Sequence, residues 1–129
     1  LDESMEFVFK VSYVEIYMEK IRDLLDNTRV KTNLTVREDK IRGIYIAGVT
    51  EEYVASEDEL FQIMQNGSSN RATAATGMNE GSSRSHSVFT ISISQRNTNR
   101  KKIYYNYQMN LNHCGNHLKH QSIEMLYTI

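Results

Sequence analysis

The chain holds 129 residues, 40% hydrophobic and 24% charged, with a formal net charge of −1. This length argues for one domain with an ordinary globular composition, and the near-neutral charge excludes a bulk electrostatic pull toward nucleic acid or an anionic membrane. One cysteine, Cys114, excludes an internal disulfide, and the absence of a signal pattern or of an apolar run long enough to span a bilayer makes the cytosol the expected compartment.

The charges are unevenly spread: residues 1–99 hold 11 Lys and Arg against 15 Asp and Glu, whereas residues 100–129 hold 4 against 1. Two parts are therefore expected, 1–99 and a divergent tail at 100–129. Glu6 to Tyr17 places Phe7, Phe9, Val11 and Tyr13 on one face of an extended segment and Val8, Val14 and Ile16 on the other. Apolar groups on both faces predict a strand covered on two sides, with a polar seam where Tyr13, Glu15 and Tyr17 share a face. Lys20 to Asp26 sets Ile21, Leu24 and Leu25 at helical spacing, which predicts a single amphipathic turn. Residues 27–33 are polar and turn-like, and mobility is expected there.

Leu34 to Arg37 and Ile44 to Val49 read as short strands of a hairpin about the charged turn Glu38 to Gly43. Gly43 and Gly48 have the spacing of a phosphate-binding Walker A loop, but Val49 stands where lysine is required and the interior is Ile-Tyr-Ile-Ala, so that reading fails. Ser56 and Glu59 form a capping box that starts a helix with Leu60, Phe61, Ile63 and Met64 as its stripe; Gly67-Ser68-Ser69 is expected to weaken it. Ser85 to Gln95 alternates, with Phe89, Ile91 and Ile93 on one side, and predicts a strand with one buried face.

Between that helix and that strand lies Gly77-Met78-Asn79-Glu80-Gly81-Ser82-Ser83-Arg84-Ser85-His86. Hydroxyls, an amide and a guanidinium in one loop suit a hydrated magnesium ion and a phosphate, although Gly, Asn and Ser also make ordinary connections. Ser85 and His86 are adjacent and so point to opposite faces of a strand, which makes them a poor nucleophile–base pair. His113, Cys114, His117 and His120 match no closed zinc pattern, and the sequons at Asn33 and Asn66 read as chance without secretion.

The run Asn79-x-x-Ser82-Ser83-Arg84-Ser85-His86 resembles the switch I signature of the kinesin motor domain. Ser12-Tyr13-Val14-Glu15-Ile16-Tyr17 and Lys20-Ile21-Arg22-Asp23-Leu24-Leu25-Asp26 match two further family runs in the same order. The resemblance covers about Glu6 to Thr98 and implies an α/β fold: a partial kinesin motor sheet, of the P-loop NTPase kind, with a flanking helix, and incomplete. Past Thr98 no switch II signature follows, and residues 101–129 are expected to stand outside the motor fold.

The resemblance also implies roles. Ser82 would approach the γ-phosphate of ATP and the attacking water, Ser83 would hold Mg2+ through its hydration shell, and Asn79 would brace the pocket. Arg84 would pair with a switch II glutamate absent from this sequence, and Arg71, at the end of the helix, would support the nucleotide pocket. Lys20, Arg37 and Arg42, with Lys40 beside them, would face tubulin, while Ala47 departs from the lysine that conventional kinesins carry there. The implied protein is a cytoplasmic, cytoskeletal, ATP-hydrolysing microtubule motor, a homodimer through a stalk not present here, with no nucleic-acid or membrane-inserting role. Two rivals are a truncated product that binds tubulin or a partner without hydrolysis and a non-functional gene fragment, and the chain alone is expected to be inactive because the phosphate-binding lysine is missing.

Overall fold

A computed structural model of the chain describes residues 5–28, 31–41, 43–75, 85–97 and 100–110. Strand β1 (Met5–Tyr17) is the spine of the sheet. Met18 and Glu19 both take positive φ, 48° and 61°, the conformation of a two-residue hairpin turn whose twist matches that of the strands it joins. The chain therefore returns at once as β2 (Lys20–Asp23), with Tyr17 opposite Lys20 and Glu15 opposite Arg22. This corrects the helical turn expected at Lys20 to Asp26. Ile21, Leu24 and Leu25 are buried as expected, but because a strand turns its alternate side inward and then bends, not because a helix shows one face.

The polar turn that follows is tied down where it is described. Asp26 accepts from the Thr28 backbone and hydroxyl at 3.1 and 2.6 Å and from the Lys31 backbone at 2.8 Å. Leu34 then bridges back to Ile21. The expected hairpin is present as β3 (Val36–Asp39) and β4 (Gly43–Ile46), a separate two-stranded sheet. An extended strand thus starts at Gly43, where a phosphate loop would have to curl. The hairpin is fastened to β2 by Asp23, whose carboxylate accepts from the Leu25 amide at 3.0 Å and the Thr50 amide at 2.6 Å.

β5 (Glu52–Val54) pairs with Phe9 to Val11 of β1. Because β6 (His86–Asn97) occupies the other edge of β1 along its whole length, β5 and β2 share one edge end to end. Helix α1 (Glu57–Ala75) begins at the expected cap: Ser56 Oγ accepts from the Glu59 amide at 3.2 Å, and the Glu59 carboxylate reaches back to the Ala55 amide at 2.8 Å.

The helix runs unbroken through Gly67. A Cβ at that position would stand 2.1 Å from Cδ1 of Tyr13, itself almost fully buried, so the residue expected to weaken the helix is the one that lets it lie against the sheet. Val11, Tyr13, Leu24, Leu25, Ile63 and Phe89 form the core beneath, with Val54, Leu60, Met64 and Ile91 packed on it. On the opposite face of this half of the strand Val14 is also buried, with Ser12 and Ile16 half-buried. Phe7, Val8 and Phe9 are exposed, Phe7 and Phe9 stacking on each other at 6.5 Å.

The other correction concerns the tail. β7 (Arg100–Asn110) pairs antiparallel with β6 from Val88 to Asn97, giving the order β2-β1-β6-β7. β6 offers an unpaired edge on the side away from β1, and the segment Ile103-Tyr104-Tyr105-Asn106-Tyr107 has the β-forming side chains to take it. Residues 100–110 thus extend the sheet where the sequence suggested a break. The result is a sheet with one helix, an α/β arrangement.

Candidate functional site

Three strands place one polar residue each in a single row. The register sets Glu15 opposite Arg22 of β2 on one side and opposite Ser87 of β6 on the other. Residues directly opposite in neighbouring strands lie on the same face, so the row Arg22, Glu15, Ser87 faces the helix together. The preceding row on that face is Tyr13 opposite Phe89, whose rings meet edge to face at 5.3 Å and 81°. Ile63, Gly67 and Arg71 are spaced four apart along α1 and are all buried. Gly67 sits on the Tyr13 ring, and Arg71, one turn on, lies over the polar row.

Arg71 is 8% exposed and, among the described residues, donates to acceptors on Glu15, Ser85 and Ser87. Its Nε donates to Glu15 at 3.4 Å, Nη1 to the Ser87 hydroxyl at 3.1 Å, and Nη2 to the Ser85 hydroxyl and carbonyl at 3.0 and 3.3 Å. The other carboxylate oxygen of Glu15 accepts from Arg22 Nη2 at 2.6 Å. Arg22 also donates to the Asn70 carbonyl at 3.5 Å, and Asn70 Nδ2 donates to the Leu24 carbonyl at 2.7 Å. Charged groups this deep persist only when paired, since breaking such a pair leaves an uncompensated charge out of water.

Of the residues that sequence reasoning assigned to ATP and Mg2+, Asn79, Ser82, Ser83 and Arg84 lie outside the described residues. Arg71 is described, and its guanidinium is turned into the protein toward a carboxylate and two hydroxyls. Those bonds hold two structural elements together. Ser85 is buried against Arg71 while His86 is exposed, as strand alternation requires. Lys20 lies at the β1–β2 turn, and Arg37 and Lys40 lie on the β3–β4 hairpin. All three are exposed, and Arg42 lies outside the described residues. The histidine and cysteine series of the tail also lies outside them. Among the described residues no cluster of three metal-ligating side chains occurs, and no helix is long and apolar enough to cross a membrane.

Glu15 was legible only as part of a polar seam, and Arg22 and Ser87 were missed. The signal was present in the turn: once Met18-Glu19 is read as a two-residue hairpin, Glu15 must face Arg22.

A family model, that of the kinesin motor domain, matches residues 1–113. The chain is 56% identical to kinesin-1 heavy chain of Homo sapiens over 98 residues, 76% of this chain and 10% of that protein. It is 52% identical to the kinesin heavy chain of Doryteuthis pealeii over 102 residues, 79% of this chain and 10% of that one. A solved structure described as that of a fast kinesin superposes with a TM-score of 0.77 at 44% identity, covering 84% of this chain and 30% of that one. The chain thus spans about a tenth of the length of the curated relatives it matches.

Proposed function

The chain belongs to the kinesin motor domain family, and from that premise we propose that it supplies the nucleotide-sensing and part of the microtubule-facing portion of an ATP-driven, cytoskeletal microtubule motor that works as a homodimer. The observation that carries the reading is the tie from Arg71, near the end of α1, to Ser85, just before β6. It joins the two ends of the segment that holds Asn79, Ser82, Ser83 and Arg84.

Phosphoryl transfer asks a protein chiefly for positioning and charge stabilisation, so a loop of hydroxyls and a guanidinium is useful only if its ends are fixed. The family resemblance assigns Ser82 and Asn79 to the nucleotide, Ser83 to Mg2+ and Arg84 to closing the site. Bound ATP would supply the phosphoryl group, and Mg2+ would spread its charge. This chain's described residues do something different: Glu15, Arg22 and Arg71 hold the helix end against the strand start. Exposed Lys20, Arg37 and Lys40, with Arg42, offer positive charge to the acidic surface of tubulin, in salt-sensitive fashion.

A second reading, a non-catalytic tubulin-binding product, is favoured by one specific observation: Lys20, Arg37 and Lys40 are all exposed. Two assays separate the readings. The purified chain is expected to sediment with microtubules at low salt and to show no microtubule-stimulated ATP turnover. A motor domain in which residues 5–97 replace the matching stretch of human kinesin-1 heavy chain is expected to turn over ATP, and Arg84→Ala in it to lower turnover while sparing ATP affinity. Absence of turnover in that motor would sink the motor reading, and failure of the chain to sediment would sink the binding one.

A further inference from the structure

We infer that Glu15 is a positioning residue for ATP turnover, acting through Arg71 as the hub that sets how the end of α1 meets the start of β6; this rests on the motor reading above. The two hydroxyls that Arg71 reaches, on Ser85 and Ser87, are neutral and rotate freely, so they accept from a guanidinium in many orientations. A carboxylate is more demanding: its charge and its two oxygens hold the guanidinium it faces in a preferred direction. Among the described residues, Glu15 is the carboxylate paired with Arg71, and it is itself held in place by Arg22 through the 2.6 Å bond.

The restraints form a closed circuit. Arg71 and Glu15 join α1 to β1, Arg22 and Glu15 join β1 to β2, and Asn70 returns from α1 to the Arg22 guanidinium of β2 and to the Leu24 carbonyl just past that strand. Consecutive residues of the helix, Asn70 and Arg71, are therefore gripped from two strands, with a third reached through Ser85 and Ser87. A helix held on three strands cannot slide or turn without breaking charged hydrogen bonds away from water. Neutralising Glu15 removes the anion shared by both arginines and leaves, among the described contacts, only the neutral acceptors of Ser85 and Ser87 to orient Arg71.

The test has two parts. In the full chain, the Arg71 Nε–H resonance is followed by nitrogen-15 NMR; Glu15→Gln is expected to speed its solvent exchange at least about tenfold, with the Phe89 and Ile91 amides unchanged. In the motor carrying residues 5–97, Glu15→Gln is expected to lower kcat about tenfold with KM for ATP within about twofold, and Arg22→Gln, which leaves the Glu15–Arg71 contact, to lower kcat about threefold. Ile63→Val, a core change with no part in the circuit, is the control for stability. It is expected to leave kcat unchanged.

An unchanged kcat in Glu15→Gln, or a loss reproduced by Ile63→Val at an equal fall in melting temperature, overturns the inference. So does an Arg71 signal indifferent to Glu15→Gln. If Glu15→Gln fails to fold, Arg22→Gln decides, its unchanged kcat counting against the hub and its partial loss for it. A wild-type motor without ATP turnover overturns the motor reading and this inference together, whereas a motor that turns over and ignores Glu15→Gln overturns this inference alone.

Discussion

Two rows of the same sheet lie side by side beneath the same helix, one pleat apart, and are built on opposite chemistry. In one, Tyr13 and Phe89 meet edge to face with Gly67 pressed on the tyrosine ring. In the other, Glu15 stands between Arg22 and Ser87 with Arg71 above. Tyr13 and Phe89 in one row and Glu15, Ser87 and Arg71 in the other are buried, with Arg22 partly exposed at the row's end, but what exclusion of water does to the two rows differs. Removing water from the aromatic row is itself the favourable step, and the contact is tolerant of small rotations. Removing water from the charged row is unfavourable, and only well-directed hydrogen bonds offset it. The aromatic row supplies stability, and the polar row supplies a fixed geometry at the place where the chain leaves the helix and re-enters the sheet.

The sharpest way to break the comparison is to empty the aromatic row. Phe89 is fully buried, and Phe89→Ala removes a ring whose neighbours, Tyr13 above all, are too constrained to collapse into the gap. The expected loss is about 4 kcal/mol in urea denaturation. A loss below about 2 kcal/mol would mean that the core is looser than its burial implies.

The polar row is expected to respond in a different pattern. Glu15→Leu alone removes the carboxylate paired with buried Arg71 and should destabilise by about 3 kcal/mol, since breaking a buried ion pair is strongly unfavourable. Adding Arg71→Met should recover much of that loss, because two apolar groups of similar size need no partners. Additive losses in the double variant would show that the row stabilises the fold outright, and the contrast between the rows would then collapse.

Gly67 tests the meeting point of the two rows. Alanine is the better helix former by about 1 kcal/mol, so an exposed glycine at this position would gain from the change. Here the added methyl would overlap the Tyr13 ring at 2.1 Å, and the ring is walled in. Gly67→Ala is therefore expected to destabilise by about 2 kcal/mol net, and a rise in melting temperature would show that helix and sheet can part at no penalty.

Much of this was legible in the sequence where the signal is local. The capping box at Ser56 and Glu59, the alternation of β6 and the hairpin about residues 38–43 each depend on neighbours a few residues apart, and each is present. What was lost depends on chain reversal. Ile21, Leu24 and Leu25 satisfy a helical spacing as well as a strand followed by a bend, and only the positive φ of Met18 and Glu19, an uncommon pair for such a turn, decides between them. With that turn misread, the Glu15–Arg22 pairing was invisible, and with it the reason Arg71 is buried. β7 was missed for a related cause: Ile103, Tyr105, Tyr107 and Met109 do alternate with Tyr104, Asn106, Gln108 and Asn110, but the place of that strand follows from the edge of β6, which no local pattern announces. The switch-like loop is the reverse case, its residue types explicit in sequence and its ends fixed by groups that no motif records.

The smallest expected effect belongs to an ion pair of the same chemistry on the same strand. Lys10 meets Glu51 at 3.0 Å, a distance between those of Glu15 to Arg22 and Glu15 to Arg71. Its side chains are 34% and 36% exposed, against 10% for Glu15 and 9% for Arg71. Water screens the exposed pair and solvates either partner when the other is removed, so neither the attraction nor the penalty for breaking it is large. Lys10→Ala is thus expected to shift stability by less than about 0.5 kcal/mol, and raising the salt concentration should erase what remains. The Glu15–Arg71 contact should by contrast be nearly insensitive to salt, because both of its side chains are buried. A Lys10→Ala loss as large as that of Glu15→Leu would show that distance, and not burial, governs these pairs, and would remove the physical ground for treating the Glu15 row as a positioning device.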